Sequence, residues 1–148
     1  MSLIDVHVDT SGFRSWFHRA AEESLVNVRQ TFGQGVALAH AHARATQSFK
    51  DRTGALRKSI TRGQKSTWVH FLKASAKHAL WVEEKTNPHR IEARNGGMLR
   101  FRFHGAIVFR RSVNHPGTKG AHFMADAATV GARFLDWRME DAITRAFR

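Results

Sequence analysis

The pattern of apolar and polar positions changes period several times along the chain. In LIDVHVD, apolar Ile4, Val6 and Val8 alternate with Asp5, His7 and Asp9, the two-residue period of a half-buried strand. Thr10 or Ser11 then offers an N-cap. Beyond it Phe17, Ala21, Leu25, Val28, Phe32, Val36, Ala39 and Ala43 recur at spacings of three and four, which predicts one stripe of a long helix. Gly33 and Gly35 interrupt that stripe at a cost of roughly 1 kcal/mol each relative to alanine, so a bend or break is expected there. A helix of this length outruns the core of a small domain, and part of its stripe is expected to face another subunit.

TGALRKSI places Leu56 and Ile60 four apart on a short helical turn after Gly54. In TWVHFLK the period returns to two, with Trp68, His70 and Leu72 on one face and Val69 and Phe71 on the other. Ala79, Val82 and Glu83 suit a single helical turn, which Asn87-Pro88 ends. Gly96-Gly97 reads as a hairpin turn separating HRIEAR from MLRFRFHGAIVFRRSV. In the latter, Leu99, Phe101 and Phe103 alternate with Arg100, Arg102 and His104; Gly105 breaks the run, and Ile107 and Phe109 resume it. The alternation predicts aromatic side chains on a core and arginines outside.

SVNHPGTKGAHFMADA is a hinge, because Pro116 fixes its own φ and biases His115 away from helix, so Asn114-His115-Pro116-Gly117 must turn or stop. From His122 to Arg148 the pattern is helical. Phe123, Ala127, Val130, Phe134 and Trp137 form one stripe, and Leu135, Met139, Ile143 and Phe147 a neighbouring one. Two stripes exceed what one core needs, which predicts a second contact, such as a neighbouring copy. The order of elements is that of a single α+β domain over residues 1–148, with a long N-terminal helix, an antiparallel sheet of about four to five strands and a C-terminal helix.

Composition sharpens this picture mainly through charge. The chain carries 24 Lys and Arg against 12 Asp and Glu, a net +12. Residues 1–50 hold net +1, residues 51–120 net +11 and residues 121–148 net zero, so the excess belongs to the middle segment. A partner of opposite sign, nucleic acid or an acidic protein surface, is the implication. Without cysteine there is no disulfide framework and no thiolate nucleophile or metal ligand. No apolar run approaches the roughly 20 residues of a membrane span, which predicts a soluble chain without membrane contact.

The candidate chemistry is thin. His40 and His42 are two apart, which puts them on different faces of a helix, whereas metal pairs want three or four. Asn114, His115 and His122 superficially suggest a one-metal nuclease, yet the loop supplies no carboxylate before Asp126. Glu83-Glu84 cannot form a paired-carboxylate site by themselves, since neighbouring side chains point apart; one of the two suits an ion pair with a nearby Arg or Lys, or with an adjoining subunit. No nucleophile elbow, phosphate loop or dinucleotide fingerprint is present. A non-enzyme without cofactor or metal is the stronger reading.

The order TGALRKSI, then HALWVEEKTNPHRI, then LRFRFHGAIVFRRSVNHPGTKGAHFMADA resembles the neck and tail-completion proteins of long-tailed bacteriophages, minor tail proteins that help join head to tail. The resemblance runs from Thr53 to about Ala127, half of the chain. Lys85 stands where that family has glycine, His78 where tyrosine is common, and Ala121-His122 replaces the proline before Phe123. The resemblance implies an α+β virion protein assembled in host cytoplasm as a homo-oligomeric ring, expected to be hexameric. Head-closure or connector proteins would lie on one side, and tail-tube or tail-terminator proteins on the other. It also implies that the loop carrying His115, Pro116, Gly117 and Lys119, with Phe123 and Glu83, contacts a neighbouring subunit. Arg100, Arg102, Arg110 and Arg111 would line a DNA lumen or pair with acidic residues of adjacent rings. The alternative is a basic nucleic-acid-binding protein that acts alone.

Overall fold

A computed structural model describes residues 9–148; the strand expected at residues 4–8 lies outside them. Helix α1 spans Ser11–Ala45. Thr10 holds the N-cap position as expected, but its side chain makes no cap hydrogen bond; the Asp9 carboxylate accepts the Ser11 N–H at 2.9 Å instead. That backbone hydrogen bond, helped by the Ser11 hydroxyl, holds the Asp9 carboxyl below its ordinary value. At the other end the Arg57 guanidinium lies 4.6 Å over the Phe49 ring and donates to the carbonyls of Arg44, in the last turn of the helix, and of Thr46, its C-cap.

The expected break at Gly33 or Gly35 does not occur, because α1 continues through both. The reason at Gly35 is tertiary. Helix α4, Phe123–Thr144, packs antiparallel against α1 and brings Gly131 opposite Gly35 and Ala39. A Cβ added to Gly35 would meet Leu135 Cδ2 at 2.9 Å, and one added to Gly131 would meet Ala39 Cβ at 3.1 Å. Missing side chains thus allow close backbone approach, and the packing gained offsets the helix-propensity penalty.

The same seam displaces the buried stripe from the expected one. On α1 the buried positions are Ala20, Ser24, Thr31, Gly35, Ala39 and Ala43, while Phe17 and Leu25 are exposed and Val28, Phe32 and Val36 only half-buried. On α4 they are Phe123, Ala127, Gly131 and Ala142; Trp137 is 73% exposed. Close helix packing selects small residues for the contact row and leaves large ones along its flanks.

After α1 come α2, Ala55–Ser59, and the hairpin of β1, Ile60–Ser66, with β2, Val69–Ala74. Strand β1 has no alternation in its ITRGQKS sequence. It forms because Gly63 sits opposite Phe71, whose ring fills the space where a Cβ would stand, 2.6 Å away. Helix α3, Ala79–Glu83, leads to β3, His89–Glu92, which pairs antiparallel with β6, Ser112–His115. Between these two strands the chain makes an excursion through β4, Leu99–Phe103, and β5, Ala106–Arg110, which pair only with each other. The α+β class holds, and among the described residues six antiparallel strands are divided among three two-stranded ladders.

Phe49, Leu56, Ile60 and Phe123, with Ala39, Ala43, Ala79 and Ala127, form the core where the C-terminal part of α1 meets the start of α4. The Phe49 and Phe123 rings meet at 4.8 Å between centroids, their planes tilted by 56°. Burying these four large side chains contributes about 2 kcal/mol apiece.

Candidate assembly surface

Two segments that the sequence separates by some thirty residues are tied together beside the core. Glu83 is the centre of this latch. Its carboxylate accepts the N–H groups of Met124 and Ala125 at 2.8 and 3.0 Å, and its own carbonyl accepts the His122 N–H at 3.0 Å. The end of α3 and the start of α4 therefore cap each other. The expectation of an ion pair for Glu83 is corrected within the chain: the carboxylate caps a helix N-terminus that has no side-chain cap of its own and makes no ion pair among the described residues.

Further along, Thr86 and Thr118 exchange both backbone hydrogen bonds at 3.1 Å, and their hydroxyls meet at 2.8 Å. Gly117 adopts φ +84°, and a Cβ there would stand 2.2 Å from the Thr86 carbonyl oxygen. Gly120 lies as close to the Glu84 carbonyl, at 2.1 Å from where its Cβ would be. His115 accepts the Gly117 N–H on Nδ1 at 3.1 Å, and its ring lies 5.1 Å from that of His89. Pro116 and Gly117 do fix a turn, but they fix it onto the chain's own 83–89 segment.

Of the residues expected to touch a neighbour, Phe123 is wholly buried in the core, so that expectation is corrected: its ring has no face left for another molecule. Lys119 and Pro116 are exposed, and His115 and Gly117 half-buried. The latch thus brings Glu83, His115, Gly117 and Phe123 into one region, with Pro116, Thr118 and Lys119 the most exposed side chains of its loop.

The arginine-rich segment forms an arm. Its turn is His104-Gly105, with φ +46° and +84°, the signature of a two-residue hairpin loop. Gly96-Gly97 is not a hairpin turn; Arg94–Gly96 forms a 3₁₀ turn in the connection from β3 to β4. Neither face of the arm meets the core. Phe103, Ile107 and Phe109 are about half exposed, which corrects the expectation of aromatic residues packed inward.

Register divides the arginines as well. Arg100 and Arg102 stand opposite Phe109 and Ile107 and share their face, whereas Arg110 stands opposite Leu99 on the other. Arg111 lies in the connection to β6, near Arg90 and Glu92. The four do not form one patch, and among the described residues none of them makes an ion pair. The Leu99 face and the β3/β6 ladder enclose an open groove of about 630 Å³, where apolar Ile91, Leu99, Phe101, Val108 and Val113 are joined by Arg100, Arg110 and His115.

A second unpartnered surface lies at the opposite end of the helix pair. There α1 extends beyond the end of α4, and Phe13, Trp16 and Phe17 cluster with Phe147 at ring separations of 5.8 to 6.2 Å. All four are exposed, Phe13 by 65%. Phe17 and Phe147 were on expected stripes, but Phe13 and Trp16 were not; their crowding with Phe17 within five positions was the available signal.

Among the described residues no helix is long and apolar enough to cross a membrane, and no group of three His, Asp or Glu side chains converges to hold a metal. Comparison of the chain with protein-family models, with curated proteins and with solved structures returns no match.

Proposed function

We propose that this chain is a structural subunit of a phage head–tail junction. It forms a homo-oligomeric ring around the DNA path, between head-closure or connector proteins and tail-tube or tail-terminator proteins. The observation that carries this reading is the surface the single chain leaves open. Its accessible area is 11,901 Å² for 16.8 kDa. A compact monomer of that mass exposes about 7,700 Å², and eight N-terminal residues add at most about 1,300 Å². The remaining excess, near 3,000 Å², is of the size that obligate interfaces cover.

Two unlike surfaces, the aromatic end of the helix pair and the β4/β5 arm, lie at opposite ends of the chain. That arrangement suits a heterologous contact, which closes into a ring when the rotation allows. The resemblance over Thr53–Ala127 supports the same reading, since its motifs are the parts that build the core and the latch: Leu56 and Ile60, Ala79 and Glu83, Thr118 and Phe123. The unpaired arginines then face acidic residues of an adjacent ring.

Sedimentation velocity and electron microscopy of the purified chain test this. The expected result is a closed oligomer whose formation weakens on replacing Trp16 and Phe17 by serine, with helical content unchanged. A compact monomer at all concentrations would refute it. The second reading, a basic nucleic-acid-binding protein acting alone, draws on Arg100 and Arg102 beside the exposed Phe109, a face able to meet phosphate and stack a base. A monomer that binds DNA with steep salt dependence would establish that reading instead.

A further inference from the structure

We infer that His89 and His115 form an acid-sensitive clasp at the neck of the lobe built by β3–β6, closed while His115 is neutral and loosened when both rings take up protons. The inference concerns the single chain and does not depend on the ring reading.

The lobe joins the helical body through two passages of chain. Strands β3 to β6 make their close contacts in pairs, β3 with β6 and β4 with β5, and residues 84–88 and 116–122 lead in and out. The direction of the arm is therefore set where those two segments meet. There the Thr86–Thr118 bridge holds one to the other, and Gly117 lies too close to the Thr86 carbonyl to admit a side chain. The His115 ring steadies Gly117 in that position by accepting its N–H.

Hydrogen bonding fixes the protonation of both rings. A backbone N–H only donates, so His115 Nδ1, 3.1 Å from the Gly117 nitrogen, is the bare nitrogen, and the proton of the neutral ring sits on Nε2. A carbonyl only accepts, so His89 Nδ1, 2.9 Å from the Asn87 oxygen, carries its proton. Acid acts on the two differently. His89 gains a second proton on Nε2 with the Asn87 bond intact. His115 gains it on Nδ1, which turns the acceptor into a donor aimed at another donor.

The two charges also meet. The residues are partners across the β3/β6 ladder, with ring centroids 5.1 Å apart. Arg100 of β4 and Arg110 of β5 line the groove that His115 lines, and Lys85 and Lys119 adjoin the threonine bridge. On β3, Arg90 is paired with Glu92. Glu83 is engaged by the Met124 and Ala125 N–H groups, and Glu84 and His122, at the other end of the neck, are exposed. Among the described residues neither histidine makes an ion pair, so two imidazolium rings here repel in a cationic setting. The closed clasp binds fewer protons than the open one. Its stability is complete above the histidine range and is lost as pH falls through it.

Amide hydrogen exchange in the full chain, corrected for the intrinsic pH dependence of exchange, tests this. Protection of the Gly117 and Thr118 amides should fall about tenfold or more from about pH 7.5 to 5.5, across the ordinary range of histidine. His115→Asn sets an amide oxygen near the Nδ1 position and does not titrate, so protection should stay within about threefold over the same range. His89→Asn keeps a donor for the Asn87 carbonyl and removes one charge. The fall should remain but become shallower, because one proton rather than two drives opening. Since the chain has no cysteine, spin labels on Ala41→Cys in α1 and Ala106→Cys in the arm report the direction of the arm. Their distance distribution should broaden on acidification, and should not when His115→Asn is added. Protection and distances that ignore pH would overturn the clasp. An equally steep fall in the His115→Asn chain would place the acid-sensitive group elsewhere and overturn it as well.

Discussion

Removing the Glu83 carboxylate separates two accounts of this residue. If it caps α4, Glu83→Ala should destabilise the single chain. If it pairs with a neighbour instead, only assembly should suffer. The Met124 N–H is half-buried and loses its only acceptor, whereas the Ala125 N–H is exposed and can turn to water. Losing one charge-assisted hydrogen bond from a partly buried donor, together with the favourable placement of an anion at a helix N-terminus, comes to about 2–3 kcal/mol. For a chain of this size that corresponds to a fall of about 5–10 °C in Tm. Glu83→Gln keeps the shape and one acceptor oxygen but loses the charge, so its loss should be roughly half as large. Urea and thermal unfolding at a fixed concentration where the chain sediments as a monomer would measure both, since self-association otherwise adds to apparent stability. A loss below about 0.5 kcal/mol for Glu83→Ala would refute the capping argument.

The two α1–α4 glycines and their neighbour in sequence should respond in opposite directions. Gly33 has open space around its Cβ position, so Gly33→Ala should stabilise by up to about 1 kcal/mol, whereas Gly131→Leu, forced against Ala39 and the Gly35 carbonyl, should cost about 2–3 kcal/mol; chemical denaturation of both variants checks the pair. At the end of α4, the Arg145 guanidinium hydrogen-bonds Asp141 and, with Arg138 nearby, holds its carboxyl below the ordinary 3.8. A carboxyl lowered on folding contributes stability that is complete above its unfolded value and is lost as pH falls through the folded one. Fraying of residues 141–147 should therefore begin only below about pH 4, which amide hydrogen exchange followed against pH would show, and Asp141→Asn should abolish that pH dependence.

Much of the architecture was readable before any coordinates, because helix and strand periods leave direct marks on a sequence. The two long helices, the short turns at Leu56 and Ala79 and the Arg–Phe alternation of the hairpin follow from spacing alone. The net charge of the middle segment and the excess of apolar helical positions were also legible. What spacing could not convey was which face of each helix would meet the other. Hydrophobicity pointed to Phe17, Leu25 and Trp137, but the tertiary contact chose Ala20, Gly35 and Gly131, because two backbones in close approach exclude large side chains. The role of Glu83 and the burial of Phe123 depend on residues forty positions apart coming together through the Thr86–Thr118 bridge. Pairing partners of strands are likewise a property of the folded chain: HRIE could not announce that it would join SVNH across a nineteen-residue excursion. The sequence therefore determined the local elements and the polarity of the surface, through periodicity and charge, and tertiary contact decided which side chains became core, cap or exposed arm.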